Sequence, residues 1–279
     1  VDDAVRENRS VVPLPPGRFE VTPRRKGHAA VLLKEVRDLA IEGRDTTLVF
    51  PSEQCDHAFL FQGCRNVTLR GFTVDVDPVT FTQGTVAAVD PKGRLLRVRL
   101  HDGYPRARGK FTGDRACLVM VFDPATRRLK QGVADLYPER FAGEGDHMAR
   151  MEFSAEHMRE RIAGRVRAGD LLAVRLRAAH GGFAFVDCEG LRMEDITIWN
   201  TPGVAMISRG GAGGHVFRRV TVERGPVLEG AEEPRLLSTS ADAFNAAGGR
   251  KGPRIEDCDF SFMGDDAVNL HGKAFGGVR

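Results

Sequence analysis

Apolar and polar residues alternate in short runs along residues 12–50, and turn-forming residues separate the runs. Alternation with a period of two is typical of β-strands, whereas helices repeat their apolar positions every three to four residues. The run V-V-P-L-P-P-G-R-F-E-V has a Pro-Pro-Gly turn before an alternating strand. A second run alternates around Leu39 and Ile41 and ends at Gly43. The pattern predicts an all-β chain of short strands.

The same strand patterns recur along the chain at fixed intervals. R-D-L-A-I-E-G at 37–43 is followed 28 positions later by R-N-V-T-L-R-G at 65–71. F-x-F-x-x-C at 59–64 recurs 124 positions later at 183–188. Repeats of 20 to 50 residues are typical of solenoids, in which each repeat is one coil stacked on the last. The longer interval therefore predicts one coil of 24 residues plus an insertion of about 100 residues.

Further columns of matching residues extend the repeat to the end of the chain. Residues 193, 196 and 198 recur 24 positions later and again a further 38 positions later. The three columns are Met193–Phe217–Ile255, Ile196–Val220–Cys258 and Ile198–Val222–Phe260. A fourth column, Val204–Asp242–Asp266, steps by 38 and then 24. Both sets need the same 14 extra residues between 222 and 242, which indicates one loop there.

The insertion itself has the pattern of a small β domain. The residues around Asp90-Pro91-Lys92-Gly93 predict a hairpin, residues 116–130 a second hairpin, and L-L-A-V-R-L-R at 171–177 a closing strand. Residues 145–163 are richer in helix formers. The predicted organisation is solenoid coils at 1–77, an inserted barrel-like β domain at 78–182 and further coils at 183–279.

Two copies of the motif D-A-x-N carry the candidate chemistry. Asp242-Ala243-Phe244-Asn245 and Asp266-Ala267-Val268-Asn269 are 24 positions apart. Equivalent residues of adjacent coils lie about 4.8 Å apart, so we expect Asp242 directly beside Asp266, with Asp265 next to them. Three carboxylates in one small volume are costly unless they share protons or hold a ligand. Glycosidases use such groups as acid and base, and we assign all three as candidate catalytic residues.

Other polar residues are candidates for contacting a substrate, each with a structural alternative. His271 follows Asp266 by five positions, Arg209 falls two coils below His271, and His180 falls two coils below Asp242. Each of the three is also compatible with an ordinary structural or solvated role. Trp199 follows a buried-type strand and either stacks on a sugar ring or packs in a turn. Asn269 and Asn245 predict a ladder of stacked amides, with Asn269 also placed to meet a substrate.

Composition excludes several other classes of protein. Lys and Arg exceed Asp and Glu by only three, and the arginines are scattered, which argues against a nucleic-acid partner. No apolar run reaches the roughly 20 residues of a membrane span. The five cysteines form no C-x-x-C, and their odd number favours small buried thiols, although Cys55 and Cys64 are able to pair in an exported protein.

No motif in the chain predicts a cofactor or a metal. The glycine run at 210–214 lacks the G-K-[ST] ending and the following helix of a phosphate loop. His147 and His157 do not form H-E-x-x-H, and Cys55-Asp56-His57 is too short to define a zinc site. The chain begins at Val1 and stops at Arg279, seven residues after its richest motif, so we expect a mature or shortened form that is cut inside the solenoid.

In the segments S-A-D-A-F-N and M-G-D-D-A-V-N-L-H-G, the chain resembles the right-handed parallel β-helix glycosidases. It is most similar to glycoside hydrolase family 110, exo-acting enzymes that cleave terminal α-1,3-linked galactose. Polygalacturonases, which also set one Asp a coil before an Asp-Asp pair, are more distant. The resemblance covers 12–77 and 183–279, and the family also carries barrel-like insertions. It places Asp265 and Asp266 in the catalytic centre with Asp242 beside them.

The resemblance further implies inversion without a metal or cofactor. One carboxylic acid protonates the leaving oxygen while a carboxylate activates water, with about 6.5–9.5 Å between the two groups. Neighbouring carboxylates are expected to be closer than that and to act together as the base, with a glutamate beyond Arg279 as the acid. The implied partner is a glycan with terminal α-galactose, and the implied location is secreted or periplasmic.

Three alternatives stay open at this point. One is a Ca²⁺-dependent polysaccharide lyase on the same solenoid, which needs an acidic polymer, an Arg or Lys base and carboxylates that bind the metal. Another is a polygalacturonase-like hydrolase. The third is a glycan-binding β-helix without activity. The oligomeric state is open too.

Overall fold

The computed structural model describes residues 6–7, 9–107, 117–145, 147–176, 181–201 and 203–272. Over these ranges nearly all regular structure is β-strand, which confirms the predicted all-β class. The strands, in chain order, are β1 (Val11–Leu14), β2 (Gly17–Glu20), β3 (Val31–Lys34), β4 (Ala40–Pro51), β5 (His57–Gln62), β6 (Thr68–Asp77), β7 (Phe81–Asp90), β8 (Leu95–Leu100), β9 (Cys117–Phe122), β10 (Arg140–Gly143), β11 (Met148–Glu152), β12 (Leu171–Leu176), β13 (Gly181–Val186), β14 (Arg192–Glu194), β15 (Thr197–Ile198), β16 (Val204–Arg209), β17 (Val216–Arg218), β18 (Thr221–Val222), β19 (Phe244–Ala247), β20 (Arg254–Glu256), β21 (Asp259–Phe260) and β22 (Val268–His271).

The strands form two parallel sheets and one antiparallel sheet. The second parallel sheet contains β3, β5, β13, β16, β19 and β22, and the antiparallel sheet contains β7 to β12. The remaining strands form the first parallel sheet. The described ranges include a short helix α1 (Ala155–His157) and a π-helical turn at Met158–Ile162. No helix in those ranges is long and apolar enough to cross a bilayer.

The chain passes alternately between the two parallel sheets, and the strand register follows the predicted repeats. Ile41 pairs with Leu69 at the 28-residue interval, and Phe59 pairs with Phe183 at the 124-residue interval. The columns beginning at residues 193 and 198 are also paired as predicted, at intervals of 24 and then 38. The sequence repeats therefore do correspond to neighbouring strands.

One predicted interval is wrong by a residue. Gly181 of β13 pairs with Val204 of β16, an interval of 23, so the column assigned to His180 from an interval of 24 does not hold. The interval returns to 24 where Glu189 bridges Gly213, because the glycine-rich turn after β16 accommodates the extra residue. His180 itself lies outside the described residues.

Stacked phenylalanines fill the space between the two parallel sheets. The rings of Phe59 and Phe183 are 4.9 Å apart and nearly parallel, and those of Phe61 and Phe185 are 5.4 Å apart. Aromatic pairs at this spacing stabilise beyond the area that they bury. Cys64 and Cys188 continue the stack as free buried thiols, and Cys55 is also free, so the structure has no disulfide between Cys55 and Cys64.

The antiparallel sheet has a core of its own. Its strand order is β10-β11-β8-β7-β12-β9, and its apolar side chains form a separate cluster. The hairpin predicted at Asp90 is confirmed, since Asp90 pairs with Leu95 across the turn. In the second predicted hairpin Phe122 bridges Leu129 and the amide of Lys130 donates to the carbonyl of Val121 (2.8 Å), but the residues after the turn do not continue as a strand. The domain boundaries remain a prediction.

Residues 233–240, here called the connecting segment, lie between the antiparallel sheet and the parallel sheets and lead into Asp242. Gln83 of β7 donates to the carbonyl of Pro234 (2.8 Å) and accepts from the amide of Leu236 (2.8 Å). Arg235 forms a two-pronged ion pair with Asp75 of β6. The connecting segment is therefore held from both sides.

Candidate active site

The three predicted aspartates lie together at the start of two neighbouring strands. β19 and β22 are paired so that Asn245 faces Asn269, and the amide of Ala243 donates to the carbonyl of Asp266 (3.0 Å). Carboxylate oxygens of Asp242, Asp265 and Asp266 all lie within 4.8 Å of one another. Asp242 is buried, whereas Asp265 and Asp266 are exposed. The structure thus brings the three acids into one acid cluster, the name used below for Asp242, Asp265 and Asp266.

Each asparagine of the repeated motif holds the aspartate of its own strand. Nδ2 of Asn245 donates to Oδ2 of Asp242 (2.6 Å), and Nδ2 of Asn269 donates to Oδ2 of Asp266 (3.0 Å). The two asparagines face each other in register, but their amides do not bond to one another in the predicted ladder. An ionised carboxylate is a stronger acceptor than an amide oxygen, which explains the difference.

A buried hydroxyl network supports the end of the connecting segment just before Asp242. The hydroxyls of Thr80 and Ser240 are 2.5 Å apart, and Thr80 also donates to the carbonyl of Thr201 (3.0 Å). Asn200 donates to the carbonyl of Ser238. All of these side chains are buried. Because buried polar groups are costly when unpaired, the network favours one conformation of the segment that precedes Asp242.

A cation that the sequence did not predict contacts the acid cluster. Arg175 of β12 donates from Nη2 to Oδ2 of Asp265 (3.3 Å) and from Nη1 to the carbonyl of Ser240 (2.7 Å). Arg175 is only 7% exposed. The one signal for this contact in the sequence was the position of Arg175 directly after the apolar run L-L-A-V. A charged side chain that is buried in such a run needs a partner.

A fourth carboxyl group, that of Asp135, interacts electrostatically with the same arginine. Burial raises the pKa of Asp135, the nearby Asp265 raises it further, and Arg175 opposes the shift. Asp135 precedes β10 in the antiparallel sheet, and its carbonyl accepts from Nη1 of Arg161 (2.8 Å). Nothing in the sequence around residue 135 distinguished this aspartate from a surface residue.

Arg209 of β16 and His271 of β22 lie in one column, as predicted. Arg209 pairs with Ala247, which pairs with His271. Nη1 of Arg209 donates to the carbonyl of Asn245 (3.2 Å); burial lowers the pKa of Arg209, and Asp242 opposes that shift. Nδ1 of His271 lies 3.1 Å from Oδ1 of Asn269. Both side chains are therefore linked to asparagines that hold the acids.

Trp199 lies in a different part of the molecule. It is half-buried and lines a groove of about 640 Å³ together with Asp77, Tyr104 and Arg235. None of the three acids is among the described lining residues of that groove. Contact between Trp199 and a substrate remains a prediction.

The acid cluster has two chemical uses. Three carboxylates with one arginine can share a proton and act together as a base toward water. The same oxygens also suit a hard cation, and Arg175 competes with such a cation for Asp265. Both uses need the close approach that β19 and β22 impose.

Comparison with known proteins places the chain next to one class of enzyme. No protein-family model matches it. It is similar to an α-1,3-galactosidase B of Bacteroides thetaiotaomicron, with 23% identity over 252 residues that cover 87% of this chain and 40% of the relative. It is similar to an α-1,3-galactosidase A of Bacteroides fragilis, with 22% identity over 303 aligned residues that cover 98% and 47%. An α-1,3-galactosidase B of Phocaeicola vulgatus is 24% identical over 268 residues, or 91% and 42%.

These relatives confirm the resemblance predicted from the two D-A-x-N motifs. The similarity extends over most of the chain. The chain spans less than half the length of the relatives named here.

Proposed function

We propose that this chain is the acid-bearing part of a glycoside hydrolase that removes terminal α-1,3-linked galactose from glycans with inversion. The observation that carries the proposal is the meeting of Asp242, Asp265 and Asp266 within 4.8 Å on neighbouring strands. The similarity to α-1,3-galactosidases supports the choice of sugar. A glycan substrate of this kind suits a secreted or periplasmic location.

The proposed fold is a right-handed parallel β-helix with a small barrel-like domain inserted in one coil. The alternation of the chain between two parallel sheets supports the first part, since each coil of a β-helix supplies one strand to each face. The barrel-like domain is supported by an antiparallel bridge between Val119 of β9 and Leu136, just ahead of β10. Because β9 and β10 are the two edge strands of the antiparallel sheet, this bridge brings its two edges together. The proposed parts are 1–77, 78–182 and 183–279.

In the proposed reaction the acid cluster acts as the base. Inverting enzymes separate their acid and base by about 6.5–9.5 Å to leave room for water, and the cluster is tighter than that. Asp242, Asp265 and Asp266 therefore orient one water molecule and take its proton, while a carboxylic acid outside the cluster protonates the leaving oxygen. Asn245 and Asn269 keep two of the carboxylates turned toward each other.

The polar side chains around the cluster are proposed to bind the sugar. Arg209, His271 and Asn269 offer donors beside the acids, and Trp199 is proposed as a further substrate contact. Hydrogen bonds from charged donors to sugar hydroxyls are stronger than neutral ones, which makes Arg209 the largest expected contributor.

The test is turnover of galactosyl-α-1,3-galactose, with the first-formed anomer identified by proton NMR. We expect β-galactose first, and we expect Asp242→Asn, Asp265→Asn and Asp266→Asn each to lower kcat by about 100-fold or more. Asp195→Asn, in a surface ion pair with Arg219, is the control and is expected to keep full activity. Full activity in all three variants, or α-galactose as the first product, would refute the proposal.

The three oxygen ligands of the acid cluster also support a second candidate, a Ca²⁺-dependent polysaccharide lyase. That enzyme would lose its activity with EDTA and would release an unsaturated sugar from an acidic polymer. A polygalacturonase-like hydrolase would cleave polygalacturonate and leave the neutral galactoside intact. A glycan-binding protein would show no turnover and would keep its glycan affinity in Asp265→Asn.

A further inference from the structure

The position of Arg175 is fixed by the interior of the antiparallel sheet. β12 lies between β7 and β9, and Arg175 pairs with Phe81 on one side and Leu118 on the other. Both neighbours are buried, and the chain on the N-terminal side of Arg175 in β12 is apolar and buried. The backbone at Arg175 is therefore held on both edges by ladder hydrogen bonds.

The guanidinium of Arg175 joins the end of the connecting segment, just before Asp242, to Asp265 of the acid cluster. Nη1 donates to the carbonyl of Ser240, two residues before Asp242, and Nη2 donates to the carboxylate of Asp265. The planar fork of an arginine fixes the direction of both bonds at once, which a lysine does not do. One side chain thus ties the segment before Asp242 to the side chain of Asp265.

The contact is close-packed, with no room for adjustment. A Cβ on Gly264 would lie 2.5 Å from the carbonyl oxygen of Ser240 and 3.0 Å from Cδ of Arg175. The amide of Gly264 donates to the carbonyl of Thr239 (2.9 Å). Gly264 immediately precedes Asp265. The close approach of Arg175, Ser240 and Gly264 therefore fixes the backbone position of that aspartate.

The charges around the guanidinium are mostly negative. Asp265 contacts Arg175 directly, and Asp135 interacts electrostatically with both Arg175 and Arg161. Carboxylates within 4.8 Å repel one another when ionised, and an opposite charge in contact offsets that repulsion. Arg175 is therefore suited to keep Asp265 inside the cluster.

We propose that Arg175 is a positioning residue of the acid cluster, through which the antiparallel sheet sets the place of Asp265 relative to Asp242. The inference rests on the proposed glycosidase function and adds to it a role for the inserted sheet. Arg175 acts through Asp265, and its bond to Ser240 holds the two acids at one separation.

The experiment compares Arg175→Met and Arg175→Lys with Arg127→Met. Arg127 is a matched control because it bonds a carboxylate, that of Glu233, and a carbonyl, that of Pro234, without touching the acid cluster. On galactosyl-α-1,3-galactose we expect Arg175→Met to lower kcat by about 100-fold with KM changed less than about threefold, since small misplacements of a catalytic group cost that much. Arg127→Met should stay within about threefold in kcat.

Two further readouts separate positioning from simple loss of structure. In Arg175→Met the acid limb of the pH–rate profile should move to higher pH, because carboxylates that lose a neighbouring cation hold protons more tightly. Arg175→Lys keeps the charge but not the fork, and we expect about a tenfold gain in kcat over the Met variant. Equal kcat and equal pH profiles in the Arg175 and Arg127 variants would overturn the inference while leaving the glycosidase proposal intact.

The inference is also tested without activity. If the unsubstituted chain shows no turnover, crystal structures of the Arg175 variants decide the positioning role alone. We expect Asp265 to leave the 4.8 Å cluster in Arg175→Met and to stay in it in Arg127→Met. Asp265 unmoved in both would overturn the inference. If Arg175→Met does not fold, Arg175→Lys gives the same decision.

Discussion

The buried ion pair between Asp75 and Arg235 offers a direct test of how the connecting segment is held. Nη1 and Nη2 of Arg235 donate to the two oxygens of Asp75 at 2.9 and 2.8 Å, and both side chains are 4% exposed. Nε of Arg235 donates to the carbonyl of Pro226 (3.0 Å). The substitution Asp75→Asn removes the negative charge and leaves the guanidinium buried without its counter-ion.

The expected loss follows from the cost of burying an unpaired charge. Breaking a buried pair by removing one partner destabilises proteins by about 3–5 kcal/mol, whereas a surface pair contributes about 1 kcal/mol or less. At about 2 °C per kcal/mol for a chain of this size, Tm should fall by about 6–10 °C. The pair of Asp195 and Arg219 is the matched control, because it has the same two-pronged geometry (2.6 and 2.8 Å) with side chains 45% and 49% exposed.

The assay is urea unfolding followed by tryptophan fluorescence. Trp199 is the one tryptophan of the chain and lines the groove that Asp75 and Arg235 also line, so its emission reports on this region. The free energy of unfolding should fall by about 3–5 kcal/mol in Asp75→Asn and by less than about 1 kcal/mol in Asp195→Asn. Similar losses in the two variants would refute the argument that burial decides the cost.

Three more predictions follow from single contacts. Burial lowers the pKa of His215 to about 4. As pH falls from about 6.5 to 4, this histidine is protonated in the unfolded chain but not in the folded one, and the free energy of unfolding should fall by about 3 kcal/mol. In urea unfolding, the variant His215→Gln should lack this pH dependence. In the proposed galactoside hydrolysis, Gly264→Ala should lower kcat by about 10-fold or more, because its Cβ would lie 2.5 Å from a carbonyl oxygen, whereas Gly252→Ala, with nothing within 4 Å, should not. Asn245→Asp should lower kcat by about 10-fold or more, because it places a second negative charge against the buried carboxylate of Asp242. The control Asn66→Asp changes a surface asparagine that bonds Asp38, and it should leave kcat unchanged.

Stacked strands made much of this fold predictable from the sequence. In a parallel stack, residues that pair have similar surroundings, so their identities repeat at the pairing interval, as Phe59 and Phe183 do. The same rule brought Asp242 next to Asp266. The rule did not predict the interval of 23 residues between Gly181 and Val204. The glycine-rich turn after β16 contains the one extra residue that restores the interval of 24, so the sequence pattern on either side is unchanged.

The arginine at the acid cluster and the electrostatic coupling of Asp135 to it were not predictable in this way. Arg175 meets Asp265 across 90 positions of sequence, through the docking of one sheet against another. Asp135 lies in a segment with little regular structure before β10. Contacts of this kind depend on how two cores pack together, and local alternation of apolar and polar residues does not encode that packing.

The antiparallel sheet lies in the sequence between the paired strands β5 and β13, on which Phe59 and Phe183 stack. The entropic cost of this long excursion of the chain is small. The entropy of closing a loop grows with the logarithm of its length, so stretching an interval of 24 residues to 124 adds only about 1.5 kcal/mol. One pair of rings 4.9 Å apart contributes about as much. A shortened chain with this excursion cut out should therefore keep its ring stack, yet its acid cluster would lose Arg175, the only guanidinium that contacts it among the described residues.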